Sequence, residues 1–209
     1  MRHSRTLRLS LPIAVVLFAS TAASFADPLP ITPIRARASG WEAQAIGEMV
    51  FRYFGIPAWD GAREYQCGIA AAMMPAEAGS TCANFCRNCE LGSGSPTELT
   101  TMIEHYPRRV NRQHGNPNAS VSGHAESLAL APGALRAQLT RKFPVIALLG
   151  ARLGTPRAVL LIGFRDERDD LYVLLLDPAF EPTDRFWTDA GSAAGPSPGA
   201  WWVPYQTLR

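Results

Sequence analysis

The chain is 209 residues long, a length that suits one domain with a substantial buried core. Its 20 Lys and Arg stand against 18 Asp and Glu, which leaves no basic surplus for a nucleic-acid surface. The four cysteines are an even number, as paired thiols require.

The N-terminus has the pattern of an export signal. Arg2, Arg5 and Arg8 form a positive region, residues 9–18 are mostly apolar apart from Ser10 and Pro12, and Ser24 and Ala26 are small residues at the two positions a signal peptidase reads. Cleavage is expected before Asp27. The apolar run is too short for a stable membrane span, and Asp27 is not the cysteine that a lipid anchor needs. Loss of the three arginines moves the formal charge from +2 to −1. The expected division is a signal peptide over 1–26, a Pro-rich extended lead-in over 27–38 and one domain over 39–209. The mature protein would then be periplasmic or extracellular, with no membrane attachment.

The first element of the domain is a helix. Trp41, Ala45, Ile46, Met49, Val50, Tyr53 and Phe54 recur three or four residues apart, which places them on one face. Ser39 with Glu42 reads as a capping box, and Gly55 followed by Pro57 as the stop. A small-residue helix is expected over 64–74, stopped by Pro75. Residues 76–94, rich in Gly, Ser, Asn and Cys, read as an irregular loop. Ser95-Pro96-Thr97-Glu98 is a second capping box with proline in the first helical position, and Leu99, Met102, Ile103 and Tyr106 form that helix's apolar side. Residues 108–125 lack a pattern and read as a long loop. Leu135 and Leu139 suggest a helix over 132–142.

Strands follow. Residues 144–149, 157–164 and 171–176 are apolar runs, and the charged turn 165–170 between the last two suits an antiparallel hairpin. Residues 190–199 are Gly-, Ser-, Ala- and Pro-rich and read as flexible, and residues 201–205 as a final strand. Helices first and antiparallel strands second give an α+β class. Trp187, Trp201 and Trp202 are expected in the core more than along a groove.

The first helix, with Trp41, Ala45 and the closing Tyr53-Phe54-Gly55, resembles the nucleophile helix of papain-like cysteine peptidases of the secreted bacterial avirulence-effector type. The ordered set of helix, cysteine loop, Pro-x-x-Leu helix and strands is similar over nearly the whole mature chain. The resemblance implies a papain-like α+β fold with N-terminal helices packed on a C-terminal antiparallel sheet. In that family a cysteine opens the helix, a histidine opens a strand ending in glycine, and an Asp or Asn follows the next strand. Counted from Tyr53-Phe54-Gly55 and from Gly163, those positions fall on Glu42, Arg157 and Asp177. The family's oxyanion glutamine has no counterpart, because Arg35, Ala36 and Arg37 occupy its place. Neither Glu nor Arg supplies a thiolate–imidazole pair at neutral pH. The expectation is an inactive peptidase homologue that binds a peptide or partner protein, with a Glu42–Arg157 ion pair and Asp177 as an acceptor for Arg157. Each residue also has an ordinary reading: Glu42 as a cap, Arg157 as a strand-end arginine, Asp177 as a turn residue before Pro178.

Two alternatives stand beside it. Gln66-Cys67-Gly68-Ile69-Ala70-Ala71 resembles the helix start of bacteriocin-processing peptidases, which makes Cys67 a rival nucleophile in an active enzyme, as would a shifted register of the family pattern. A structural or interaction module without a working cleft is the other. In an exported chain Cys67, Cys82, Cys86 and Cys89 are expected as two disulfides, with three connectivities open. Four thiolates with the Cys86-x-x-Cys89 spacing could instead hold zinc. The Cys82, Cys86 and Cys89 spacing also suits an iron–sulfur cluster, which an oxidising compartment disfavours. No cofactor, catalytic metal or nucleic-acid partner is indicated.

Overall fold

The computed structural model describes residues 25–74, 76–84, 86, 89, 94–116, 120–149, 157–167, 170–179, 193–194 and 200–208. Five helices, α1 (Glu42–Tyr53), α2 (Tyr65–Met73), α3 (Ala76–Asn84), α4 (Pro96–Gln113) and α5 (Pro132–Thr140), precede the strands β2 (Val145–Leu149), β3 (Arg157–Glu167), β4 (Asp170–Leu176) and β6 (Ala200–Pro204). Two-residue strands, β1 (Phe25–Ala26) and β5 (Ala193–Ala194), complete one antiparallel sheet. The class is therefore α+β. Strand β3 pairs with β4 along one side, and with β2 and β1 in succession along the other. No helix among the described residues is long and apolar enough to cross a membrane.

The apolar strand runs are continuous because the sheet is covered on both faces. Leu160, Ile162, Leu174, Leu176 and Ala200 join Ile46, Met49, Val50 and Phe51 of α1 and Tyr106 of α4 in one cluster. Val159, Leu161, Val173, Leu175 and Val203 face the other way, against Leu135 and Leu139 of α5. Trp202 packs on the first cluster and Trp201 on the second, as core aromatics do. Trp187 lies outside the described residues. The lead-in is extended as expected: the Leu29 N–H donates to the Ile162 carbonyl at 2.8 Å, and the Ala36 N–H to the Pro178 carbonyl at 2.8 Å. It crosses β3 at the irregularity between Leu161 and Gly163, where a Cβ on Gly163 would lie 3.2 Å from Pro28 Cα.

Helix α1 ends as its sequence predicts. Gly55 has φ +69°, its N–H donates to Arg52 and the Ile56 N–H to Phe51, a Schellman closure. The beginning differs. The N-cap is Trp41, whose carbonyl accepts from the Ala45 N–H at 3.0 Å, and no side chain caps the helix. Ser39 sits in the turn closed by the Trp41 N–H and the Ala38 carbonyl, two residues before the cap.

The Ser95 box on α4 forms in both directions, with Glu98 N–H to Ser95 Oγ at 3.3 Å and Ser95 N–H to Glu98 Oε2 at 2.8 Å. The helix then runs to Gln113 through Pro107, into residues expected as loop. Val110 is fully buried and extends the Tyr106 side by one more turn, so core packing outweighs the proline. Residues 76–84 are likewise helical rather than loop. Helix α5 closes by a second Schellman pattern, Lys142 N–H to Leu139 and Phe143 N–H to Gln138, but the left-handed position holds Lys142 at φ 65°. A side chain in that conformation costs about 1–2 kcal/mol relative to the right-handed region.

Tyr65 and Tyr106 sit at the centre of the helical layer. Their rings are 5.8 Å apart, and the hydroxyls donate to the Ile56 carbonyl at 2.7 Å and the Pro57 carbonyl at 3.3 Å. Burial pushes both phenols far above the ordinary tyrosine range. A phenol neutral in the fold but ionised in the unfolded chain contributes stability that is whole below about pH 10 and is lost above it. Stability should fall by about 1.4 kcal/mol per pH unit per phenol beyond that point. Thermal melts from pH 8 to 11 read this, and Tyr65→Phe should give the shallower decline. Equal slopes would mean that Tyr65 ionises freely in the fold.

Candidate functional site

Helix α1 is directed at one end of the sheet. At its C-terminus the Tyr53 hydroxyl donates to the Lys142 carbonyl at 3.0 Å, just ahead of β2. Strand β2 pairs Val145 with Leu161 and, at its other end, Leu149 with Arg157. The twelve helical residues span roughly 18 Å at 1.5 Å each. That length is comparable to the span of β2 from Val145 to Leu149. In the lead-in, Ala36 bonds Pro178, the residue after Asp177. The lead-in that precedes Glu42 thus passes the sheet end that carries Arg157 and Asp177.

Arg157 and Asp177 meet there. Arg157 Nε donates to Asp177 Oδ1 at 3.2 Å, and Nη2 pairs with Oδ2, a two-pronged contact. Asp177 is fully buried (0% exposed), while the Arg157 side chain keeps 26% of its surface. Asp177 Oδ1 also accepts the Ala179 N–H at 2.9 Å, which closes the turn after β4. The expected role of Asp177 as acceptor for Arg157 is thus met. The expected Glu42–Arg157 pair is not formed: among the described residues Glu42 makes no ion pair, and no hydrogen bond returns it to Ser39. The reason is geometric. Asp177 faces Arg157 from the adjacent part of the same sheet and engages Nε and Nη2 together.

Trp41, next to Glu42, is buried against Ala70, Ala71, Cys82 and Cys89. Behind it lies a network that the sequence reading did not identify. Gln66, 3% exposed, donates from Nε2 to the Arg35 carbonyl at 2.9 Å and to Glu48 Oε2 at 3.1 Å, and its Oε1 accepts the Arg37 N–H at 3.1 Å. Glu48 also holds Arg52, and Arg37 pairs with Glu64. Gln66 and Glu48 tie the lead-in to α1 and α2. The available signal was one amide and one carboxylate on otherwise apolar helix faces, where burial demands partners.

The cysteines form Cys67–Cys86 and Cys82–Cys89, with Cα atoms 5.2 and 5.5 Å apart, and no free thiol is present. Both pairs suit an oxidising compartment. Cys67 is fully buried at the start of α2. The zinc reading fails on placement. Among the described residues the one cluster of three potential ligands is Glu64, Cys67 and Cys86, two of which share a disulfide, and Cys82 and Cys89 stand outside it. His114 and His124 pair with Asp60 and Glu126, not with any cysteine.

Two hollows lie elsewhere. One of about 310 Å³ is lined by Trp59, Asp60, Ala71, Asn84 and Arg109 among others. A smaller one of about 180 Å³ lies between the lead-in and α1, with Ile31, Ile34, Met49, Arg52 and Tyr53 in its wall. Neither is lined by Glu42, Arg157 or Asp177. Compared with protein-family models, curated proteins and solved structures, the chain matches none.

Proposed function

We propose that the chain is an exported papain-like-fold protein that has lost peptidase chemistry and binds a peptide or partner protein at the sheet end where Arg157 and Asp177 meet. The observation that supports this is that two of the three counted positions, Arg157 and Asp177, pair at the sheet end past which the lead-in to Glu42 runs. A cysteine peptidase needs a thiolate beside an imidazole. These positions carry a carboxylate and a guanidinium, and the rival Cys67 is buried in a disulfide.

A fluorogenic peptide mixture, with and without reductant, tests the chemistry; no turnover is expected in either condition. Turnover that appears on reduction and vanishes in Cys67→Ala would transfer the reading to an active enzyme. An immobilised peptide library tests the binding. The wild-type chain should retain a subset of peptides and Arg157→Gln should lose it. Retention of none by the folded wild type would favour a structural module.

A further inference from the structure

We infer that the outer edge of β2 is a second docking site, separate from the Arg157–Asp177 end, and that it takes an extended segment of another protein that is acidic and then apolar. Strand β2 reads Val-Ile-Ala-Leu-Leu and pairs only with β3 among the described residues. Among the described residues its other edge has no strand partner, and the strand itself carries no charged side chain, proline or bulge, the devices by which edges are normally closed to pairing; Pro144 stands just ahead of it. Four of its five residues are only partly buried. Phe143, 43% exposed, precedes the strand, and Phe54, 37% exposed, lies at the end of α1 that Tyr53 fixes to Lys142.

The charge beside this edge selects the occupant. Arg141 and Lys142 stand ahead of β2, separated from Val145 by Phe143 and Pro144, and the Arg141 guanidinium lies 5.6 Å from the centre of the Phe143 ring. Arg52, already paired with Glu48, lines the neighbouring hollow with Tyr53, so Arg141 and Lys142 are the cations left for an occupant. Residues 141–149 contain no carboxylate, so a second copy of this strand offers nothing to meet the cations. Lys142 adds an independent observation. It occupies the left-handed position of the α5 closure, where glycine would be unstrained, and its side chain is exposed ahead of the edge. Strand addition would let main-chain bonds give affinity and the flanking cations give direction and selectivity.

The test uses the oxidised full chain and a fluorescein-labelled synthetic peptide, Asp-Glu-Val-Thr-Val-Thr-Val, read by anisotropy. Binding is expected, with loss when every second amide is N-methylated in the phase that faces β2, and with loss in the Lys-Lys analogue. Arg141→Glu with Lys142→Glu should weaken binding by about tenfold or more. Lys142→Gly should weaken binding while raising the melting temperature, an opposition that a purely structural lysine would not produce. Arg157→Gln should leave this affinity unchanged. The inference is overturned if the acidic peptide does not bind, if both N-methylated phases bind as well as the parent, or if Arg157→Gln abolishes binding. That last result would move the peptide to the other site. Self-association through β2, seen by sedimentation and broken by Ala147→Lys, would also overturn it by making a second copy the occupant.

Discussion

Replacing Cys67 and Cys86 together by alanine is expected to lower stability by about 3 kcal/mol. The bridge closes a chain separation of 19 residues, and loop closure of that length removes unfolded-state entropy on this scale. Cys82–Cys89 spans only 7 residues and should contribute nearer 2 kcal/mol by the same relation. The two loops overlap, since Cys82 lies inside the first and Cys89 beyond it, so the effects should not add. Both bridges hold α3 and the following segment against α2, beneath Trp41. Loss of Cys67–Cys86 should therefore also loosen the start of α1. Denaturant melts of the Cys67→Ala, Cys86→Ala double variant give the first quantity, and hydrogen exchange at Ala45 and Ile46 the second. A double variant as stable as the wild type would mean that the bridge contributes nothing to the fold. Unchanged exchange would separate the disulfide layer from the Glu42 end.

Much of this arrangement could be read from the sequence, and the failures share a physical cause. Apolar periodicity located α1 and α5, small residues ahead of a proline located α2, and continuous apolar runs located the long strands, which are covered on both faces. The Ser95–Glu98 box was legible because capping depends on residues three apart, whatever the tertiary structure. The Ser39–Glu42 pair had the same spacing and did not form, because the chain turns at Ala38–Trp41 before the helix begins. Local signals also ended α4 too soon at Pro107, where burial of Tyr106 and Val110 carries the helix on. Helix α3 was hidden by its Gly, Ser and Cys content, and its packing against α2 and the Cys82–Cys89 bridge that helps hold it are tertiary contacts that local propensity does not show. At the site, Asp177 as acceptor for Arg157 followed from the positions counted on the family resemblance. The Glu42–Arg157 pair did not form, because counting positions does not fix which charges meet.

Asp177→Ala is expected to destabilise the protein by about 3 kcal/mol, the scale of breaking a buried ion pair. The carboxylate is fully buried and serves two donors at once, the Arg157 guanidinium and the Ala179 N–H. Its removal deprives both of an acceptor that water cannot easily replace. Arg157 retains some exposure, which lets solvent recover part of the loss on its side. Arg157→Leu should be at least as harmful, because it leaves a carboxylate charge in a site with no exposure. Asp177→Asn separates two roles. An amide oxygen can still accept from Ala179, so if Asp177 serves only the turn before Pro178, asparagine should be nearly neutral. If the ion pair dominates, Asp177→Asn should lose most of what alanine loses. The double variant Arg157→Leu, Asp177→Asn removes both charges together and should be clearly more stable than the sum of the singles predicts, by about 1–3 kcal/mol. Chemical denaturation of the four proteins decides between these outcomes. Additive losses, or a harmless Asp177→Asn, would reduce Arg157 to a strand-end arginine and remove the charge pair from any account of this end of the sheet.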